Sequence, residues 1–289
     1  MPVEATTFLT LTRELIRRVH PTILKAVSAE SRAPKIKSDG SLVTETDHAV
    51  EAFLTAEFER SFSGVPVLGE ERAADIGSRG EIDPVAYYST FMRAPQHIIM
   101  DPVDGTKNFV EGRPEFCVAI ALTKRVGDGV WPHVGVVAVP VAGEMYWCDE
   151  RQVFREPIAG GELAPVTRVP SEDKRVSINS KDRAWLKEQK SLINCPWVSS
   201  GSSVHDFLGT ALGRLQGSMV RAQRLWDLMA PLAIAERLGC ELIDFSTSEV
   251  IRAITPTELS SDLVNRPWGL TRRMMLLPKG KAISEVVST

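Results

Sequence analysis

The stretch from Asp101 to Phe109 combines residue types and spacing from which a catalytic site can be built. It reads Asp-Pro-Val-Asp-Gly-Thr-Lys-Asn-Phe and follows an apolar run, residues 97–100, of the composition of a buried strand. Asp101 and Asp104 lie where this strand breaks into a turn, so their carboxylates converge and repel each other unless a cation lies between them. An all-oxygen ligand set favours Mg²⁺ over zinc.

Gly105 and Thr106 follow these acids and offer backbone N–H groups at a turn or helix start. Such groups bind anions, phosphate among them. A metal cluster beside an anion-binding turn indicates phosphoryl chemistry. The alternative is that the stretch is turn composition only, because Asp, Pro and Gly are the commonest turn residues. Partners elsewhere in the chain must decide between the two interpretations.

An acidic residue begins the second of two amphipathic helices near the N-terminus. The first helix is predicted over residues 8–27, with Pro21 kinking or dividing it. The second follows Thr44 or Thr46 as N-cap, which places Asp47 in the first turn, where the helix dipole favours a negative charge. Asp47 is therefore a candidate site residue, with a simple helix-start carboxylate as the alternative.

Two more acids stand next to buried segments. Glu70 follows a short apolar strand, residues 65–68, and Asp227 precedes an almost wholly apolar helix that ends at Gly239. Strand ends and helix starts bring side chains to sites rather than to a core. A solvated loop acid is the alternative for Glu70, and a helix N-cap is the alternative for Asp227.

The remaining pattern mixes strands and amphipathic helices, which indicates layered α/β or α+β packing. Residues 72–96 are predicted to be a long polar connection with one short helix, covering the site or a dimer contact rather than the core. Residues 149–174 are predicted as loop, and residues 201–203 open a helix. Further strands are predicted over 116–123, 134–139, 144–148, 175–180 and 196–200.

Composition limits the classes of function. The chain has 289 residues, 43% of them hydrophobic, and a net charge of −3, which suits one large domain or two lobes. It lacks the basic excess of a nucleic-acid binder and any apolar run near the ~20 residues that cross a membrane. The four cysteines are far apart and the N-terminus has no signal pattern, so we expect a cytoplasmic protein with reduced thiols.

These stretches, in this order, resemble the inositol monophosphatase family of Mg²⁺-dependent, lithium-sensitive phosphatases. The resemblance runs from about residue 8 to Gly239. It implies an αβαβα sandwich, one phosphatase domain with lobes at about 1–150 and 151–289, and assembly as a homodimer. The matching stretches are Lys37 with Leu42 to Asp47, Leu68-Gly69-Glu70-Glu71, Asp101 to Phe109, and Trp226-Asp227.

The resemblance also implies the metal ligands. Glu70, Asp101 and the backbone carbonyl of Val103 would hold one Mg²⁺. Asp101, Asp104 and Asp227 would hold a second, and a third, weaker ion would share Glu70 with water. Such ions stabilise the attacking and departing oxygens of an in-line displacement. Lithium inhibition is expected by the same resemblance.

The same resemblance implies roles for the residues beside the ions. Thr106 would orient the attacking water, and Asp47 would hold the Thr106 hydroxyl. The Gly105 and Thr106 N–H groups would bind phosphate oxygens. No covalent phosphoenzyme is needed, because positioning and charge neutralisation supply most of the catalysis.

One departure from the family pattern concerns the substrate. Inositol-hydrolysing members carry an acid about seven residues before the Trp-Asp aspartate, where this chain has Val220, with Arg221 and Arg224 nearby. Myo-inositol phosphate is therefore not expected to be the preferred substrate, and an arginine in the site would favour a second anionic group. The alternative is that both arginines face solvent. Candidate substrate contacts also include Gly201, Ser202 and Ser203.

The sequence thus predicts a Mg²⁺-dependent phosphomonoesterase for a small phosphorylated metabolite, such as a sugar, polyol or amino-alcohol phosphate. A phosphatase for bisphosphorylated nucleotides or sugars is the alternative within the enzyme class. A catalytically idle homologue that binds metal and phosphate is the alternative outside it. Charge and hydrophobicity give no support for a nucleic-acid or membrane partner.

Overall fold

A computed structural model of the chain describes residues 2–28, 35–36, 42–79, 83–170, 172, 174–220, 223–264 and 266–288. None of the helices in these ranges is both long and apolar enough to pass through a membrane. The helices are α1 (Ala5–Ser28), α2 (Glu45–Ser61), α3 (Glu70–Arg79), α4 (Pro84–Arg93), α5 (Thr106–Glu111), α6 (Ser180–Glu188), α7 (Ser203–Leu212) and α8 (Leu225–Arg237).

The strands form two large sheets and two short pairs. In chain order they are β1 (Lys35–Ile36), β2 (Leu42–Val43), β3 (Val67–Gly69), β4 (Gln96–Asp104), β5 (Cys117–Val126), β6 (Gly129–Val139), β7 (Glu144–Cys148), β8 (Val153–Pro157), β9 (Ala164–Val166), β10 (Val176–Ser177), β11 (Leu192–Ile193), β12 (Trp197–Val198), β13 (Ser218–Val220), β14 (Cys240–Asp244), β15 (Met274–Pro278) and β16 (Val287–Ser288).

The larger sheet has the order β3-β4-β5-β6-β7-β8-β9. Only its β3–β4 pair is parallel among the described strands, and the others run antiparallel. Residues of β5 are apolar on both faces: Ile120 packs in the layer with α1 and α2, whereas Ala119 and Ala121 pack in the layer with α7 and α8. A strand without polar alternation is what a sheet covered on both sides requires.

The smaller sheet has the order β12-β10-β13-β15-β14. Its inner face, including Val220 and Leu276, joins the apolar layer that contains α7 and α8. Its outer face is covered by α6, whose Leu186 packs in one cluster with Val176 and Met275. The layers therefore run helix, sheet, helix, sheet, helix, and the predicted αβαβα sandwich is confirmed.

The structure decides between alternatives for one helix and corrects the prediction for another segment. Helix α1 is one helix with Pro21 inside it, so this proline does not divide it, and Val19 and Ile23 on either side are buried. Residues 72–96 contain α3 and α4 rather than one short helix, and they do not merely cover the site. Phe91 and Met92 of α4 belong to the core. Helix α4 is therefore amphipathic, with an apolar face packed inside the protein.

The predicted loop over residues 149–174 was also wrong in part. Strand β8 pairs with β7 and β9 pairs with β8, which extends the larger sheet by two strands. The edge strand β9 contains Pro165, a residue that is tolerated at sheet edges because it cannot donate to a ladder. Proline and glycine in this segment therefore indicated a sheet edge, not an unstructured connection.

Candidate active site

Strand β4 ends in an irregularity that places two carboxylates together. Asp101 lies opposite Ala119 of β5 and Asp104 lies opposite Cys117, so β4 takes three steps where β5 takes two. Residues three apart in a regular strand point to opposite faces, and one extra residue brings them to the same side. The Val103 N–H donates to Asp101 Oδ1 at 2.9 Å and closes this bulge. Pro102 lies within this bulge, where a proline is tolerated because it need not donate to the ladder.

Gly105 turns the chain from β4 into α5. Its φ of +92° lies in the left-handed region, which residues with a side chain seldom adopt. A Cβ at this position would also lie 3.0 Å from Ser202 Cβ and 3.1 Å from the carbonyl oxygen of Glu115. The turn after the two acids therefore needs glycine both for its backbone conformation and for the close approach of the loop before α7.

That loop fixes Asp104. The Ser202 hydroxyl and the Val204 N–H both donate to Asp104 Oδ2, the latter at 2.9 Å. Ser202 is also the N-cap of α7, because its Oγ accepts the His205 N–H at 3.1 Å. One serine thus ties the start of α7 to the end of β4.

Helix α8 brings the third carboxylate. Asp227 lies in its first turn, where Oδ2 accepts the Arg224 N–H at 2.8 Å. One carboxylate oxygen from each of Asp101, Asp104 and Asp227 lies within 4.8 Å of the others. Segments far apart in the sequence thus place three acids around one small volume.

Glu70 and Asp47 lie beside this cluster. Gly69 of β3 pairs with Met100 of β4, so Glu70 leaves the sheet next to Asp101. Asp47 is buried in the first turn of α2, behind the predicted N-cap Thr44, whose N–H donates to Asp47 Oδ2 at 2.9 Å. The charges of both Glu70 and Asp47 reach Asp101, because each raises the Asp101 pKa.

Burial and mutual repulsion raise the pKa values of the carboxyl groups in this cluster. Burial raises the pKa of Asp101 well above its ordinary value, and the charges of Glu70 and Asp104 raise it further. Burial raises the pKa of Asp104 to about 7, although the Ser202 and Val204 hydrogen bonds oppose that rise. Burial and the charge of Asp104 also raise the pKa of Asp227. A cation between these groups would reverse the effect.

The donor set suits a hard divalent cation. All the side chains that converge here offer carboxylate oxygen, and the described residues contribute no histidine or cysteine to the cluster. Oxygen ligands are those that Mg²⁺ prefers, whereas zinc is commonly held by nitrogen and sulfur. The raised pKa values of Asp101, Asp104 and Asp227 are the expected signature of a site shaped for a positive charge.

Comparison with known proteins decides the family. The sequence model of the inositol monophosphatase family matches residues 4–273. The chain belongs to the inositol monophosphatase family. Inositol monophosphatase 1 of Solanum lycopersicum is 34% identical over 226 residues, which cover 74% of this chain and 76% of that one. The predicted membership of a phosphatase family is confirmed.

Two other similar proteins show the range of the family. A histidinol-phosphatase of Mycobacterium tuberculosis is 39% identical over 111 residues, 38% of this chain and 35% of that one. Staphylococcal inositol monophosphatase-1, in an inhibitory complex soaked in 100 mM LiCl, has a TM-score of 0.67 at 16% identity. The match covers 96% of this chain and 92% of that chain, and it shows the fold.

The family resemblance predicted that several residues lie near the substrate, and their positions in the structure differ from one another. Lys37 and Arg221 lie outside the described residues. Val220 is fully buried in the layer between the sheets, so its side chain does not line the site. The reason is that β13 is an internal strand of the smaller sheet. Arg224 pairs with Gly269, and its charge lowers the pKa of Asp227, so this arginine lies beside the cluster.

The predicted hydrogen bond between Asp47 and Thr106 is absent from the described contacts. The Thr106 hydroxyl donates to the carbonyl oxygen of Val103 at 3.2 Å. The Asp47 carboxylate accepts from the N–H and hydroxyl of Thr44. Both bonds go to Asp47 Oδ2, so Thr44 and Asp47 form the capping box of α2.

Sequence reasoning missed Glu51, a buried residue that fixes the start of α3. Its two carboxylate oxygens accept the Glu71 N–H at 2.9 Å and the Arg72 N–H at 2.6 Å. A Cβ at Gly69 would collide with the same carboxylate, so glycine there lets Glu51 approach the backbone. Glu51 thereby sets the turn from which Glu70 projects. Its signal in the sequence is one acid on the apolar side of an amphipathic helix.

We expect Glu51→Gln to lower the free energy of unfolding by about 1–3 kcal/mol, because one backbone N–H would face an amide NH₂ instead of an acceptor. Urea denaturation measures this change. Glu59→Gln is the matched control on the same helix, since its exposed ion pair with Arg72 contributes at most about 1 kcal/mol. Equal effects of the two substitutions would show that Glu51 does not hold the start of α3.

We expect Asp227→Asn to stabilise the magnesium-free protein by about 1–4 kcal/mol, because it removes one of three clustered like charges, of which those of Asp101 and Asp104 are buried. The same substitution should reduce the increase in melting temperature that saturating Mg²⁺ produces in the wild-type protein. Thermal unfolding with and without Mg²⁺ measures both effects. An equal Mg²⁺-induced increase in the two proteins would contradict the role of Asp227.

Proposed function

We propose that the chain is a Mg²⁺-dependent phosphomonoesterase that hydrolyses a small phosphorylated metabolite. The observation that carries the proposal is the convergence of Asp101, Asp104 and Asp227 on one volume within 4.8 Å, with Glu70 beside them. Membership of the inositol monophosphatase family supports the same reaction class. A buried acidic cluster without a cation would be a costly feature for a purely structural protein.

We further propose how the residues would hold two Mg²⁺ ions. Glu70, Asp101 and the Val103 carbonyl would hold one, and Asp101, Asp104 and Asp227 would hold the other, with a third ion sharing Glu70. Bound divalent cations would supply Lewis-acid activation and neutralise the phosphoryl charge. The Val103 carbonyl already accepts the Thr106 hydroxyl, which leaves its second lone pair for such a role.

The chain's own groups would orient the reactants. Because the Thr106 proton is directed to Val103 O, the Thr106 oxygen is free to accept a hydrogen bond from the attacking water. The water's lone pair would then be directed to phosphorus. The N–H groups of Gly105 and Thr106 would bind phosphate oxygens. Asp47 belongs to the proposed catalytic set because its charge acts on Asp101.

The proposed substrate is a sugar, polyol or amino-alcohol phosphate other than myo-inositol phosphate. The family position that holds an acid in inositol-hydrolysing members holds the buried Val220 here. A bisphosphorylated nucleotide or sugar is a second candidate, because Arg224 places a positive charge beside Asp227. A guanidinium at the edge of the site would pair with a second phosphate.

The setting of the enzyme is also a proposal. We propose a cytoplasmic homodimer, in which each chain is one phosphatase domain with lobes at about 1–150 and 151–289. The first lobe would carry most of the metal site, and the second would contribute Asp227. The large apolar layer shared by the two sheets supports a single domain.

We expect the purified protein to release inorganic phosphate from a panel of small phosphate esters with Mg²⁺, and to be inhibited by lithium. Asp104→Asn should lower the rate more than about 100-fold, because even outer partners of a metal ligand contribute 10–100-fold. A colorimetric phosphate assay measures the rate, and circular dichroism verifies that the variant is folded.

Asp128→Asn, in the exposed turn between β5 and β6, is the matched control and should keep the wild-type rate. A folded Asp104→Asn protein with normal turnover would refute the proposed metal ligands. Absence of phosphate release from every ester by the wild-type protein would favour the catalytically idle homologue.

A further inference from the structure

A segment that includes Trp268 and Gly269 is hydrogen-bonded to the start of α8. The Leu225 N–H, in the first turn of the helix, donates to the carbonyl oxygen of Trp268 at 3.2 Å. Beside this bond, Gly269 forms an antiparallel β-bridge with Arg224. An N–H in the first turn of a helix has no partner within the helix, so the Trp268 carbonyl satisfies it. Asp227 lies in the same turn, and the bond therefore holds the turn that carries this carboxylate.

Trp268 has a backbone conformation that is rare for a bulky residue. Its φ is +57°, in the left-handed region that glycine adopts readily and other residues seldom adopt. Such a conformation costs free energy and persists only where the surrounding contacts enforce it. Only 3% of Trp268 is exposed, so these contacts lie inside the protein. The packing of the indole therefore holds the backbone at this position.

The indole of Trp268 packs against three aromatic side chains of α4. It is stacked on Tyr88 with the ring centroids 4.7 Å apart, and it lies edge-on to Phe91 at 4.8 Å and to Tyr87 at 6.4 Å. Aromatic pairs at such distances add to the stabilisation that burial alone provides. We call these four residues the aromatic cluster.

The aromatic cluster also contacts the strand that precedes Glu70. The Tyr87 hydroxyl donates to the carbonyl oxygen of Val67 in β3 at 2.9 Å. Strand β3 ends at Gly69, directly before Glu70. The cluster therefore contacts two segments of the chain that carry acids of the proposed metal site, one with Glu70 and one with Asp227.

We infer that Trp268 is a positioning residue for the proposed magnesium site and that it acts on Asp227 through the first turn of α8. The inference rests on the proposed metal ligands and adds a residue outside them. The indole, packed on α4, keeps the Trp268 carbonyl in place, and this carbonyl accepts the Leu225 N–H. A shift of the turn would change the distance between Asp227 and the Asp101/Asp104 pair. The affinity of the site for an ion depends on that distance.

Isothermal titration calorimetry with Mn²⁺ on the full chain tests the inference, because it measures ion binding without a substrate. The binding step that Asp227→Asn weakens identifies the ion concerned. In Trp268→Gly the dissociation constant of this step should rise about tenfold, the lower end of the effect of an outer partner of a metal ligand. Glycine adopts a positive φ without strain, so the substitution removes the indole and keeps the backbone conformation accessible. Trp268→Phe retains an aromatic ring and should keep most of the wild-type affinity.

Tyr88→Leu and Phe154→Leu are a matched pair of variants. Each removes a half-buried ring that is stacked on a tryptophan, on Trp268 at 4.7 Å and on Trp147 at 4.3 Å. Trp147 packs in the layer with α1 and α2, away from the start of α8. Both variants should have a lower melting temperature, but only Tyr88→Leu should bind Mn²⁺ more weakly. The titrations are made well below each melting temperature, where circular dichroism verifies that the variants are folded.

The outcomes separate the inference from the proposed function. A dissociation constant that Trp268→Gly or Tyr88→Leu leaves unchanged would overturn the inference alone, as would an equal weakening in Phe154→Leu. Tyr88→Leu is the milder change and decides the question if Trp268→Gly does not fold. A wild-type protein without any Mn²⁺-binding step that depends on Asp227 would overturn the proposed metal ligands and the inference with them.

Discussion

The repulsion among buried carboxylates is the constraint around which this fold is arranged. Asp101, Asp104 and Asp227 share one small volume, and burial raises the pKa of each. Such a cluster opposes folding when it is charged and alone, because desolvation and like charge both act against it. A divalent cation held between these carboxylates would convert the same arrangement into a stabilising one. Binding of such an ion would therefore link the site to the stability of the protein.

The scaffold holds each acid with a backbone or hydroxyl donor from the start of a helix or a bulge. Val103 N–H restrains Asp101, Val204 N–H and the Ser202 hydroxyl restrain Asp104, and Arg224 N–H restrains Asp227. These donors reduce the cost of the negative charge and also fix the geometry. Strand β4 of the larger sheet must meet α7 and α8 of the neighbouring helical layer for the donors to converge. This requirement explains why the site lies where β4, α7 and α8 come together.

Residue types that are close together in the sequence made the turn after β4 and several helix ends predictable. Asp101 and Asp104 follow an apolar strand and precede a glycine, a pattern that predicts the turn found there. Thr44 as N-cap and Gly239 after α8 obey the ordinary rules of helix ends. The layered fold followed from the mixture of helices and strands and from the family resemblance.

What escaped prediction depends on contacts between distant segments. Nothing near Ser202 in the sequence shows that its hydroxyl donates to Asp104, and nothing near Glu51 shows that it caps α3. Thr106 and Asp47 have local partners that were not predicted, the Val103 carbonyl for Thr106 and the Thr44 N–H for Asp47. Helix α3 was missed because half of its ten residues are charged. Contacts between distant segments decided the positions of Ser202 and Glu51.

The most direct test of the central claim is a crystal structure of the protein grown with Mn²⁺, with anomalous diffraction data collected to locate the ion. The account predicts an anomalous peak within about 2.0–2.4 Å of carboxylate oxygens from Asp101, Asp104 and Asp227, the range of hard cations with oxygen ligands. A peak bound elsewhere, with these three side chains turned away from one another, would contradict it.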